Sequence, residues 1–178
     1  GEADKRGAMN RGRAVRLALG SGGARGIAHM GVIRAFEEAG IRVEAVAGAS
    51  MGALVGLGLA AGRLGVMRDV VLNLDWKKAL RYFVEARVPR SGLIDGARVL
   101  ALIRMIAGGR TLDGLDIPCA AVATDLASGD EVVFQRGEAE TAIRASIAVP
   151  GLFTPVRWEN RLLADGALRH DDIRRLIG

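Results

Sequence analysis

Gly48-Ala49-Ser50-Met51-Gly52 is a G-x-S-x-G pentapeptide set between two apolar stretches of different character. Residues 43–47 make a short run with the length and composition of a buried strand. Residues 53–61 are small and apolar and suit a helix. A serine at the corner between a strand and a helix has the arrangement of a nucleophile elbow. Gly48 and Gly52 keep that turn free of bulk. The hydroxyl stands at the end of the strand, with the N–H groups of Met51 and its successors beside it. The pentapeptide alone is a weak signal in a chain with 25 glycines. A serine in this place also reads as a plain helix N-cap. A nucleophile further requires an oxyanion site and a proton acceptor.

Working upstream, residues 15–19 alternate in polarity and run into Gly20-Ser21-Gly22-Gly23-Ala24-Arg25-Gly26. The next segment, 27–39, carries His29, Val32, Ile33 and Phe36 at helical spacing, and Gly40 ends it. A second strand follows at 41–47. Strand–helix–strand of this length predicts parallel strands with a right-handed crossover. The glycine loop and Ser50 then share one edge of the sheet, where open α/β sheets bind their ligands. A dinucleotide fingerprint fails: aligned on Gly23 and Gly26 its first position is Ser21, and aligned on Gly20 and Gly22 its last is Arg25. The acidic residue expected about 20 residues on is missing as well. The loop suits an anion better, since glycines let N–H groups converge and the helix start adds positive partial charge.

At 178 residues the chain is expected to hold one domain, 14–178, behind a polar, basic segment, 1–13, that reads as disordered or foreign to it. Half the residues are hydrophobic but only 4% are aromatic, so the core must be Leu, Ile, Val and Ala. The net charge of +5 is almost all arginine, with Lys5, Lys77 and Lys78 the only lysines. The arginines are scattered and stacking aromatics are few, which argues for a solvated surface and against nucleic acid. Cys119 stands alone in an apolar run, without a disulfide framework. Residues 1–13 lack the apolar centre of a signal peptide, and no apolar run reaches ~18 residues. A cytoplasmic protein is expected, with peripheral contact to an anionic membrane as an option. Trp76, Lys77, Lys78, Arg81, Tyr82 and Phe83, which mix cation and aromatic, are the candidates for that contact.

Downstream, 66–74, 77–83 and 96–107 read as helices, and packing or a lid over the elbow are both open for them. Residues 117–123 and 131–134 read as strands, 139–145 as a helix, and 156–158 with 161–164 as a hairpin around Glu159-Asn160. For the proton acceptor there are two histidines. His29 lies on the apolar side of its helix and reads as a packed core residue. Ser50, Asp165, His170 has the chain order of an α/β-hydrolase triad, but five residues between Asp and His are cramped. Too few residues precede the elbow for the strands that fold places first. A carboxylate acting directly on serine remains. Asp165 follows an apolar strand and precedes Gly166. Asp95 heads the same tripeptide, Asp-Gly-Ala, but in the context of a helix cap.

These residues resemble the patatin-like phospholipase family of lipid acyl hydrolases. The likeness runs from about Leu17 to Ala167. Residues 21–26 resemble that family's oxyanion loop, with Ser21 where many members have glycine. Gly48-Ala49-Ser50-Met51-Gly52 resembles its elbow, and Asp165-Gly166-Ala167 its Asp-Gly-Gly/Ala motif. Thr124-Asp125-Leu126 and the segment from Ala145 to Gly151 are also similar to family segments. The resemblance implies an α/β fold, three-layer α/β/α with a mostly parallel central sheet. It implies a Ser50–Asp165 dyad without histidine, and selects Asp165 over Asp95. Backbone N–H groups near Gly22, Gly23, Ala24, Arg25 and Gly26 would hold the oxyanion, with Arg25 either meeting a phosphate or bracing the loop. The implied substrates are acyl esters of phospholipids or lysophospholipids, cleaved without metal or cofactor. A catalytically silent lipid- or partner-binding domain on the same scaffold is the alternative. Family members usually continue past the Asp-Gly-Ala turn with a further strand and helices. Residues 170–178 supply a short polar helix at most, so a domain shortened at that end is expected.

Overall fold

The structure is a computed structural model, and it describes residues 12–73 and 96–169. Six strands form one mixed sheet. β1 (Ala14–Leu19) and β2 (Arg42–Ala49) run parallel, with Leu19 opposite Gly48. β2 is also parallel to β3 (Cys119–Asp125), whose Val122 lies opposite Ala49. β4 (Glu131–Phe134) pairs antiparallel with β3. The hairpin of β5 (Val156–Trp158) and β6 (Arg161–Asp165) joins through β6, antiparallel to β3. The strand after Pro118 starts later than its apolar run suggests, because proline has no N–H for the ladder. It continues through Thr124 and Asp125, which are polar yet buried.

Five helices accompany the sheet among the described residues. They are α1 (Ala28–Glu38), entered through a 3-10 turn at Gly23–Ile27, α2 (Met51–Ala60), α3 (Leu64–Leu72), α4 (Gly96–Ala107) and α5 (Ala139–Ser146). α2 is apolar all round, and a helix with no polar face must be buried on every side. It crosses β1, β2 and β3 and is itself touched by α1, α3, α4 and α5. Val55, Leu57 and Ala60 are fully buried there with Ile33, Ile103, Ile106 and Ile143. The expected α/β class and parallel sheet centre are present. The expected helix at 77–83, the cation–aromatic cluster at 76–83, Asp95 and His170 lie outside the described residues.

In α1 the expected apolar stripe is partly displaced. Ile33 is fully buried and Met30 packs on the core, but Val32 is 51% exposed. His29 is half-buried rather than a core residue. Its Nε2 lies 2.9 Å from the Gly20 carbonyl oxygen, so that nitrogen carries the proton and donates. The ring ties the helix to the start of the glycine loop. His29→Ala is expected to cost about 1 kcal/mol of stability, the usual worth of one such bond, read as a fall in denaturant midpoint.

Candidate active site

One edge of β3 decides where the elbow sits. β4 occupies the other edge from Ala121 to Thr124. On the free edge β2 pairs through Val122, and β6 takes over at Ala123. β2 runs with β3 and β6 against it, so their C-terminal ends meet head-on at adjacent positions. Ala49 closes β2 opposite Val122, and Asp165 closes β6 opposite Ala123. The chain order puts Ser50 just beyond the first end and Gly166 just beyond the second. Ser50 and Asp165, 115 positions apart in sequence, are thereby brought to adjacent positions of the sheet rim.

Ser50 turns that corner with φ 56° and ψ −125°. A positive φ in a residue with a Cβ is strained, at about 1–3 kcal/mol, and such strain persists where the surroundings impose it. Here they do. A Cβ on Gly48 would sit 2.4 Å from the Gly52 carbonyl, and one on Gly52 would sit 2.1 Å from the Leu19 oxygen. The elbow is pressed into the end of β1. Ser50 is 6% exposed. Its carbonyl accepts from the N–H groups of Ala53 and Leu54, starting α2. The N–H groups of Met51 and Gly52 precede the first intrahelical bond, and helix starts leave such groups without an acceptor of their own.

The glycine loop packs directly on this turn. A Cβ on Gly26 would lie 2.5 Å from Met51 Cγ. Gly26 therefore gives the elbow its seat. The Arg25 N–H is committed to the Gly22 carbonyl at 3.0 Å. The nitrogens of Gly23 and Ala24 stand ahead of that bond, at the start of the 3-10 turn, where no helical acceptor exists. Gly23 has φ 53°. The Arg25 side chain is exposed. Loop and helix start thus bring two sets of N–H groups to the side of the sheet where Ser50 emerges.

Asp165 is 3% exposed. Its Oδ1 accepts the Ala167 N–H at 2.9 Å, and its own carbonyl accepts the Thr124 hydroxyl at 3.0 Å. Oδ2 is buried without a partner of full hydrogen-bond geometry. Burial raises the carboxyl pKa above the ordinary value, because the charged form loses water. The Ser50 hydroxyl and the Ala167 N–H act against that rise, although Oδ2 itself has no hydrogen-bond partner. A Cβ on Gly166 would lie 2.0 Å from the Val122 oxygen, so only glycine lets the chain turn this close to β3.

The structure adds two residues to which the sequence gave no part here. Thr124 fixes the Asp165 backbone. Ser146, fully buried at the end of α5, accepts the Ser50 N–H on its Oγ at 3.0 Å. A polar residue inside the small apolar run from Ala145 to Val149 was the available signal for Ser146.

Residues 17–173 match the family described as patatin-like phospholipase. An uncharacterized NTE family protein of Mycobacterium tuberculosis is 46% identical over 154 residues, covering 86% of this chain and 42% of that protein. The mouse patatin-like phospholipase domain-containing protein 6 is 30% identical over 176 residues, 94% of this chain and 13% of that one. The crystal structure of VipD from Legionella pneumophila superposes with a TM-score of 0.59 at 16% identity, over 90% of this chain and 48% of VipD. The likeness to VipD is one of fold. The chain spans less than half the length of these relatives. No helix among the described residues is long and apolar enough to cross a membrane. The match across residues 17–173 makes this chain a member of the patatin-like phospholipase family.

Proposed function

We propose that the chain is the reacting part of a serine lipid acyl hydrolase, acting on acyl esters of phospholipids or lysophospholipids through Ser50 and Asp165. The observation that carries this reading is the head-on meeting of β2 and β6 along β3, which brings the Ser50 turn and the Asp165 turn to adjacent positions of the sheet. Ser50 Oγ forms a bond to the ester carbonyl carbon while its proton passes to Asp165. The carbonyl electrons move onto oxygen, facing the N–H groups of Gly23, Ala24 and Met51. Each well-aimed donor of this kind is worth ~10²–10³ in kcat. Collapse breaks the ester C–O bond, and the leaving alcohol takes the proton back from Asp165. Water then attacks the acyl-Ser50 ester, again giving a proton to Asp165, and that proton passes to Ser50 Oγ as the acyl C–O bond breaks and the fatty acid leaves.

Burial suits Asp165 to this work. An exposed carboxylate at ~3.9 is a weak base, and removing water raises its proton affinity. An Oδ2 without a hydrogen-bond partner fits a free enzyme, where catalytic hydrogen bonds are often long or misaligned and tighten only with substrate. A fluorophosphonate probe is expected to label the chain once, at Ser50, with hydrolysis of short p-nitrophenyl esters lost in parallel. Labelling elsewhere, or ester turnover that survives in Ser50→Ala, would end this reading. Saturable binding to anionic vesicles with no labelling would favour a silent lipid-binding domain.

A further inference from the structure

The turn carrying Ser50 and the turn carrying Asp165 come from distant parts of the chain, and each is held by the same short segment. The Ser50 N–H donates to Ser146 Oγ at 3.0 Å. The Gly166 N–H donates to the Ser146 carbonyl at 3.2 Å, and the Asp165 N–H to the Ala148 carbonyl at 3.0 Å. Ser146 is the last residue of α5, where helical carbonyls are left without helical donors. Its carbonyl is therefore available to the carboxylate turn, while its side chain reaches the nucleophile turn. Both groups are sealed from water, since Ser146 is 0% exposed.

We propose that Ser146 is a positioning residue that locks the Ser50 and Asp165 turns to each other. The proposal rests on the hydrolase reading above and assigns Ser146 no contact with substrate. Ser50 holds a backbone conformation it would not choose alone. Its amide must be bonded for that conformation to stay put, and no water can replace a lost partner at a buried site. A hydroxyl is the fitting acceptor at this place. It takes the Ser50 N–H without adding a charge beside Asp165, whose proton affinity the mechanism uses.

The clamp also removes the Ser50 N–H from any part in binding the oxyanion. The donors left are those of the glycine loop and of Met51. Small displacements of a reacting group can cost ~10²-fold in rate. Loss of the clamp should therefore appear in the chemical step rather than in substrate binding.

The test compares Ser146→Ala with Ala142→Gly, which weakens the same helix at a residue whose amide bonds Glu138 and neither turn, and with Ser146→Thr, which keeps a hydroxyl. Ser146→Ala is expected to lower kcat by ~10–10²-fold with KM little changed, in the range of a misplaced reacting group. Ala142→Gly should keep kcat, and Ser146→Thr should recover part of the loss. Amide hydrogen exchange supplies a readout independent of turnover. The Ser50 amide should exchange faster in Ser146→Ala relative to the rest of the sheet, and not in Ala142→Gly, while the Gly166 amide, whose carbonyl partner alanine keeps, serves as the internal reference. Wild-type kcat in Ser146→Ala, or Ser50 exchange no faster than in Ala142→Gly, would overturn the proposal. A wild-type protein that neither labels nor hydrolyses esters would defeat the hydrolase reading, with the exchange comparison still deciding for or against the lock.

Discussion

Asp165→Asn is expected to lower kcat on short acyl esters by ~10²–10⁴-fold, the usual share of a positioned acid–base group. The fold should survive. Asparagine has the same shape, keeps an oxygen for the Ala167 N–H, and brings no charge into a buried place. His29→Gln and His170→Ala should retain most of the turnover. Loss on changing His170 with Asp165→Asn still active would instead indicate a histidine triad. The pH profile adds an independent check. Asp165 accepts a proton only when ionised, so the wild-type rate should rise with pH along a limb set above the ordinary carboxylate value of ~3.9. Stability should run the other way. The folded state binds this proton more tightly than the unfolded chain does. Asp165 thus contributes stability below the unfolded value and loses it as pH rises through the raised folded value. At neutral pH the charged, buried carboxylate is a burden on the fold. Asp165→Asn should therefore melt no lower than wild type at pH 7, and higher if desolvation dominates. A variant that is both inactive and much less stable would mean that Asp165 holds the turn together rather than serving as a base.

This opposition of activity and stability explains what could be read from the sequence. Local features were legible. The strand at Glu131–Phe134 and the helix at Gly96–Ala107 were expected with those bounds, because composition and glycine stops act within a few residues. The hairpin around Glu159-Asn160 was legible for the same reason, and Glu159 takes the left-handed conformation at φ 52° that closes it. The crossover from β1 to β2 was legible from spacing alone. The handover along β3 was not. The hairpin pattern shows that 161–164 is a strand, but not which edge it completes or that it stops one position from the end of β2. That depends on two pairings to β3, between residues 73 and 42 positions apart, Ala49 with Val122 and Ala123 with Asp165. His29 was misread because periodicity gives the width of an apolar stripe, not the flank that meets the sheet. Ser146 escaped notice because its value lies in an acceptor aimed at a distant amide. Ser50 and Asp165 stood out because each breaks a local rule: one is a serine at a strained turn, the other an acid closing an apolar strand.

Gly52→Ala and Gly166→Ala are expected to be the most damaging small substitutions in the chain. The reason is approach rather than backbone freedom, since neither residue has a positive φ. An alanine Cβ at 52 would meet the Leu19 oxygen at 2.1 Å and the Gly20 oxygen at 2.6 Å. At 166 it would meet the Val122 oxygen at 2.0 Å. The atoms struck are backbone, fixed by β1, the glycine loop and β3, so no side chain can swing aside. Overpacking that flexible neighbours absorb costs ~1–3 kcal/mol. With rigid neighbours the cost should pass the top of that range, a large share of the ~5–15 kcal/mol that holds a domain together. Gly31→Ala is the control. It lies mid-helix in α1 with nothing within 4 Å of a built Cβ. It should stabilise by ~0.5–1 kcal/mol, as removal of a helical glycine does. Denaturant midpoints and soluble yield should separate the three, with Gly31→Ala above wild type and the other two far below or insoluble. A folded Gly52→Ala with an unmoved midpoint would mean that the elbow is not pressed against β1. The second glycine of the G-x-S-x-G pattern is thus required by the neighbouring strand as much as by the turn. Where that strand leads into the glycine loop, one close contact fixes the distance between the Ser50 turn and the loop.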